Sequence, residues 1–438
     1  MPDGRLKIAY YGDDFTGATD TLATAARAGL RSLLFLGLPT ATQLERAGPL
    51  DCLGIAGAAR SMTPAEMRAE LEPVGRLFAS LGAPVMHYKT CSTFDSAPHI
   101  GSIGAAIRIL QPHAGNPLVP IVGGQPNLRR YCVFGNLFAA AGNSISRIDR
   151  HPTMRQHPVT PMDEADLRLH LEKQGLARVD AIDYPAYALD NKALDAQLDA
   201  LLAGSPDAVL FDIAEEPHLA TVGRLIWQHA SRQPLLAAGP SSVVQALAVH
   251  WQNTAADAGA AIAASQGPVL VLAGSLSPQT ARQLAAATSY RHVQLDAARL
   301  ANDAAYALQM ADEIASWLRE GTHVLAYTSG GKAAADAGPR PDARALAQAC
   351  GTLLAQVLKR VSLRRLGVAG GDTSSHAVQA LDAWGLSYQA QLAPGVALCR
   401  LHSDDAALDG LEIMLKGGQM GGDALFEDLL RGTTPAPV

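Results

Sequence analysis

Short apolar runs alternate with amphipathic stretches along the whole chain. Residues 6–11 make an apolar run that stops at Gly12, and residues 16–28 carry the spacing of a helix closed by Gly29. Residues 32–36 form the next strand, ended by Gly37-Leu38-Pro39. Strands at 52–56 and 85–88 follow, separated by a helix over 64–81 that Ser61 or Thr63 is placed to cap. Further buried runs at 208–211, before Asp212, and at 235–238, before Gly239-Pro240, continue the rhythm. Strand, helix, strand in this order predicts an α/β fold with a mostly parallel sheet covered by helices.

The pattern breaks once. Residues 251–267 are Ala-rich and polar, after which residues 269–272 restart the rhythm and strands at 324–327 and 366–369 repeat it. The sequence therefore divides into two domains of the same α/β kind, residues 1–260 and 261–438.

At 438 residues the chain is long for one core, which agrees with that division. Hydrophobic residues at 48% and charged residues at 17% give enough apolar surface for large cores and exclude a disordered chain. A formal net charge of −6 supplies no basic field for nucleic acid. Cys52, Cys91, Cys132, Cys350 and Cys399 are scattered without a CxxC pair, as expected of free thiols in a reducing compartment. No signal-like leader or membrane-spanning run is seen, so a cytoplasmic protein with no membrane partner is expected.

Candidate chemistry gathers at predicted strand ends. In YYGDDFTGATD (10–20), Asp13 and Asp14 stand where a strand stops and a helix begins. Ligands bind at such carboxyl edges, and two carboxylates there suit substrate hydroxyls or a proton, although either could simply cap the helix. The stretch partly matches the D-T-x-G-A-G-D signature of ribokinase-like sugar kinases, but that motif lies late in those chains and here it fills the first strand–helix turn. In HYKTCSTFDSAPHIGSIG (87–104), Lys89, several hydroxyls and Asp95 come after another strand. A basic, proline-broken loop with Arg130, Arg155 and His157 would face an acidic ligand.

The second half carries glycine turns after strands, at 273–280, 369–375 and 415–422. Glycine lets backbone N–H groups approach and cradle phosphates, and Asp372 with Thr373 could place Mg²⁺ beside them. SGGK (329–332) lacks P-loop spacing, and no G-x-G-x-x-G comes after the first strand, which disfavours a dehydrogenase.

Taken together, DDFTGATD (13–20), Ala59-Arg60-Ser61, KTCSTFDS (89–96), GSIG (101–104), MRQHPVTPM (154–162), AGSLS (273–277), GGDTSS (370–375) and LKGGQMG (415–421) resemble the four-carbon acid sugar kinase family over nearly the whole chain. The resemblance implies an N-terminal acid-sugar domain, a C-terminal nucleotide domain and an active site in the cleft between them. It places Asp13, Asp14, Arg60, Lys89, Asp95 and Ser96 on the substrate side. Ser275, Gly370, Gly371, Asp372, Thr373 and Gly418 fall on the nucleotide side. ATP, Mg²⁺ and a small sugar acid are the implied ligands, and assembly into a homo-oligomer stays open. Where the family usually has Gly-Gly-Glu-Thr-Ser, this chain has Asp372, and Ala97-Pro98-His99-Ile100 replaces a segment one residue shorter on the substrate side.

The expected reaction is transfer of a phosphoryl group from ATP to a terminal hydroxyl of a 3-oxo-tetronate or the branched acid 3-oxo-isoapionate. Asp14 or Asp95 is expected to take the proton, with Asp13 orienting a hydroxyl. A sugar-acid sensor without turnover is the alternative from another class, and the intact glycine turns speak against it.

Overall fold

The computed structural model describes residues 6–157, 159–252, 261–274, 277–328 and 342–433, apart from the side chains of Ala343 and Asp372. The chain divides into two compact units, residues 1–32 with 47–255, and residues 33–46 with 256–438. The α/β class and mostly parallel sheets expected from the alternation are what both units form. Among the described residues, no helix is long and apolar enough to cross a membrane.

The sheet of the first unit runs in the order Cys52–Ala56, Ile8–Gly12, Val85–Lys89, Leu235–Gly239, Pro120–Gln125, Ala208–Asp212 and Val179–Ile182, all parallel. The strands Ile8–Gly12, Cys52–Ala56 and Val85–Lys89 are buried at every position, because helices cover both faces, and this is why they read as unbroken apolar runs. Helix Phe15–Arg27 returns from the first strand with Asp14 as its N-cap, and helix Pro64–Ser80 is opened by a reciprocal capping box between Thr63 and Glu66. Thr63, not Ser61, is thus the cap of the second helix.

An antiparallel meander, Arg130–Val133, Asn136–Ala141 and Ser144–Arg147, extends from the end of Pro120–Gln125. The sequence pointed only to a basic loop here. These strands are short and half-exposed, so their alternation is weak.

In the second unit Arg291–Leu295, Val324–Thr328, Val269–Ala273, Arg365–Ala369 and Glu412–Lys416 lie parallel in that order. Val396–His402 and Gly385–Ala393 continue the sheet antiparallel, joined by a turn whose Gly395 takes φ +71°. The strand Ser32–Phe35 completes it, pairing antiparallel with Gly385–Ala393. Residues 33–46 therefore belong with the second unit, whereas a contiguous division at residue 260 was expected. The contacts are specific: the Leu36 amide donates to the Trp384 carbonyl at 3.1 Å, Phe35 lies 6.1 Å from the Trp384 ring, and Arg46 covers that ring at 4.8 Å. A local pattern of apolar residues says that 32–36 is a strand but carries nothing about its partner.

Helices His218–Ala230 and Ser242–His250 pack with Gly223 against the Ala246 carbonyl, where a Cβ would come to 1.9 Å from the oxygen. Gly223→Ala must push these helices apart. A loss of about 1–3 kcal/mol is expected from such overpacking, measured by denaturant unfolding.

Candidate active site

The register of the first sheet sets Gly12 beside both Ala56 and Lys89, so three neighbouring strands end together. All three ends are charged: Asp13 and Asp14 come after the first strand, Arg60 sits in the single turn Ala59–Ser61 beyond the second, and Lys89 closes the third. Backbone bonds fix them mutually, with the Asp13 amide donating to the Lys89 carbonyl at 3.0 Å and the Arg60 amide to the Asp13 carbonyl at 3.1 Å.

Arg60 is the hub. Its guanidinium lies 3.4 Å from Asp13, 2.9 Å from Asp14 and 3.9 Å from Asp95. Gly101, at φ +61°, lets the chain pass against the Arg60 carbonyl, where a Cβ would sit 2.5 Å from the oxygen. Burial opposes the Arg60 charge, and Asp14, Asp13 and Asp95 more than restore it. Asp14 does two jobs, pairing with Arg60 and capping its helix by accepting from the Gly17 amide at 2.6 Å and the Thr16 hydroxyl at 3.0 Å. Gly17 leaves room for both, since a Cβ would lie 2.2 Å from Lys89 Nζ and 2.5 Å from Asp14 Oδ1 and would displace them.

The carboxylates differ in their electrostatics. Burial raises the Asp13 carboxyl to about 6, with Arg60 opposing and Asp14 adding to the rise. Burial also acts to raise Asp95, yet Arg60, the Thr93 hydroxyl donating at 2.5 Å and His157 together hold it below its ordinary value.

Lys89 is 3% exposed and Arg130 half-buried, and neither forms an ion pair among the described residues. Arg130 donates to the Leu128 carbonyl at 2.7 Å, its buried Nε has no partner, and burial lowers its affinity for the proton, with Cys91 and Asp95 close enough to oppose that. Ser96 is used structurally, bonded to His170 Nε2 at 2.9 Å, Gln174 at 2.8 Å and the Phe94 carbonyl at 2.9 Å. Arg155 is exposed on the short turn Met154–Gln156. Thr93 and Gly101 are contributors that the sequence did not single out. The Thr-x-Asp spacing of 93–95 was the available signal.

In the second unit, helix Gly371–Gln379 begins directly after strand Arg365–Ala369. Gly370 enters it at φ +119°, and among the described residues no side chain caps its first N–H groups. Such an open helix N-terminus is a ready anion site. Gly274, beside it, donates its amide to the Ala369 carbonyl at 3.1 Å, and a Cβ there would lie 2.1 Å from Thr373 Oγ1. The Gly418 carbonyl accepts from Ser277 and from Thr280. Ser275 lies outside the described residues, as does the side chain of Asp372.

These two sites match known sequence patterns, a sugar-binding N-terminal domain over residues 8–247 and a nucleotide-binding C-terminal domain over 270–426. The chain belongs to the four-carbon acid sugar kinase family. It is 40% identical over 97% of its length to a 3-oxo-isoapionate kinase of Paraburkholderia graminis, of which 94% is covered. A 3-oxo-tetronate kinase of Methylobacterium radiotolerans is 32% identical, over 96% of this chain and 98% of that one. A crystal structure of a protein from Salmonella typhimurium LT2 superposes with a TM-score of 0.79 at 26% identity, covering 97% of this chain and 99% of the other. The enzyme is a sugar-acid kinase that uses ATP, as the sequence motifs led one to expect.

In this kinase the raised Asp13 carboxyl has a consequence for stability. A group whose folded value lies above its unfolded one favours the folded state below the unfolded value, and that advantage is lost as pH rises through the folded value. The window here runs from about 4 to about 6. Asp13→Asn should therefore match wild type in stability near pH 4 and exceed it at pH 8, by on the order of 2 kcal/mol, in thermal melts at the two pH values.

Proposed function

We propose that this kinase phosphorylates a terminal hydroxyl of a 3-oxo sugar acid, with branched 3-oxo-isoapionate preferred over 3-oxo-tetronate. The observation that carries the kinase reading is the presence in one chain of the buried Arg60–carboxylate set and an uncapped, glycine-entered helix N-terminus. The preference for the branched acid is supported by 40% identity to a relative named for it, against 32% to one named for the tetronate.

Phosphoryl transfer asks the protein mainly to position groups and neutralise charge. Lys89 and Arg130, which form no ion pair among the described residues, take the substrate carboxylate and keto oxygen. Asp13 accepts the proton as the terminal hydroxyl attacks the γ-phosphorus. An O–P bond forms to the acceptor, the bond from the γ-phosphorus to the β–γ bridging oxygen breaks, and ADP leaves with that electron pair. Asp13 fits the task because its affinity for a proton lies near neutrality, whereas Asp95 stays ionised and Asp14 is committed to Arg60 and the helix. This reverses the ranking expected from sequence, where Asp14 or Asp95 took the proton.

On the nucleotide side, the N–H groups of Gly371, Asp372 and Thr373 donate to phosphate oxygens, and the Gly418 turn borders them; Ser275, expected from sequence to join them, lies outside the described residues. Mg²⁺ fits this setting: it takes most of its ligands from phosphate and water, so one carboxylate, Asp372, and the Thr373 hydroxyl suffice. The absent Cβ of Gly274 leaves room beside that hydroxyl. When bound, Mg²⁺ neutralises phosphate charge.

A coupled ADP-release assay on a panel of sugar acids tests the whole reading. Wild type should show the highest kcat/KM with 3-oxo-isoapionate, and Asp13→Asn should lower kcat by at least about a hundredfold while staying folded. Turnover of a 3-oxo-tetronate in preference would reverse the substrate assignment, and near-normal kcat in the variant would remove Asp13 from the chemistry. Gly370→Val places a β-branched residue at φ +119°, a conformation open to glycine alone. ATP affinity by calorimetry should fall at least about tenfold, with sugar-acid affinity retained.

A further inference from the structure

Lys416 ends the strand Glu412–Lys416, and its side chain is completely buried. Lysine is almost never buried without a paired acid, yet none of the described carboxylates pairs with this one. Its ammonium has three protons to give. Three acceptors take them: Thr280 Oγ1 at 2.9 Å, Gln283 Oε1 at 2.7 Å and the Gly418 carbonyl at 3.3 Å. The Phe426 ring lies 6.0 Å from the nitrogen. Burial pushes this ammonium down to about 7.

All three acceptors border the glycine turn at 417–422. Thr280 and Gln283 lie on helix Pro278–Ala286, whose N-cap Ser277 also donates to the Gly418 carbonyl. The Gln283 amide in turn donates to the carbonyls of Met420 at 3.0 Å, Gly421 at 3.3 Å and Gly422 at 2.9 Å. Lys416 reaches the other glycine segment through its backbone, since its carbonyl accepts from the Gly370 amide at 2.9 Å. One residue therefore ties the 417–422 turn to helix Pro278–Ala286 and to the entry of helix Gly371–Gln379.

We propose that Lys416 is a positioning residue of the nucleotide site, which sets the 417–422 turn through Gln283 and Gly418 and holds there a positive charge that a bound polyphosphate balances. This rests on the second unit binding ATP at its glycine turns. Lys416 does not itself bond the phosphates, because its three protons are engaged. Its charge acts at a distance, in a medium of low polarity where screening is weak. An unpaired buried cation is costly in the free protein, and the arriving anion offsets that cost.

The first measurement is calorimetry of MgADP with wild type. No binding would overturn the nucleotide reading itself, and this proposal with it. Given binding, Lys416→Met keeps the length and apolar contacts and removes the charge. ADP affinity should weaken at least about tenfold and KM for ATP rise in step, while KM for the sugar acid changes less than about twofold. Unchanged ADP affinity in a folded Lys416→Met protein overturns the proposal, as does an equal rise in both KM values. Should Lys416→Met fail to fold, Gln283→Glu serves instead. It keeps an acceptor for the lysine, supplies the missing counter-charge and removes the amide that holds the turn. The same selective loss of ADP affinity is expected, and wild-type affinity in that variant would overturn the proposal.

Discussion

Gathering the half-buried Arg60 with buried Asp13, Asp14 and Asp95 is the constraint on which the sugar-binding unit depends. Each of these charges is costly to take out of water alone, and each is tolerable only because the others are within a few ångströms. The geometry admits little variation: a Cβ at residue 17 would displace Lys89 and Asp14, and one at residue 101 would meet the Arg60 carbonyl. The same crowding gives the carboxylates different characters. Burial raises Asp13, 4% exposed, with Arg60 opposing and Asp14 adding, whereas Arg60 and Thr93 hold Asp95 down against its own burial. A site assembled for charge balance is in this way also equipped with a group that exchanges a proton near neutrality.

The nucleotide-binding unit meets the opposite condition. It has an uncapped helix N-terminus, glycine turns and a buried lysine, with no acid described beside the lysine. Among the described residues the lysine's charge has no acidic partner, whereas in the sugar-binding unit Arg60 is surrounded by three carboxylates. An acid with one carboxylate and a nucleotide with several negative charges call for these two different settings.

The family departures fall close to these features. Asp372 stands where relatives usually carry glutamate, and Gly417-Gly418-Gln419-Met420 fills the turn next to Lys416. On the sugar side, Arg130 stands on a meander attached to the main sheet rather than on a main strand, so its placement can shift without disturbing the Arg60 set. Meander and loop positions of this kind are where substrate differences within a family are accommodated.

By itself the sequence determined most of the elements and the family, and it singled out the charged strand ends. Buried parallel strands read as apolar runs, glycines and prolines marked their ends, and Asp13, Asp14, Lys89 and Asp95 were singled out because ligands bind at such ends. What it did not determine is everything that depends on a partner distant in the chain. That Ser32–Phe35 pairs with Gly385–Ala393 rests on contacts with Trp384 some 350 residues away. Ser96 turns inward to His170 and Gln174, and Arg155 outward to solvent, although both sit in motifs rich in site residues. Lys416 reads locally as a strand-end charge, and only the helix Pro278–Ala286 folded against it shows a buried cation without an acid. Periodicity reports which face of an element is covered. Charge balance, proton affinity and strand partnership are sums over neighbours, and the neighbours are assigned by the tertiary fold.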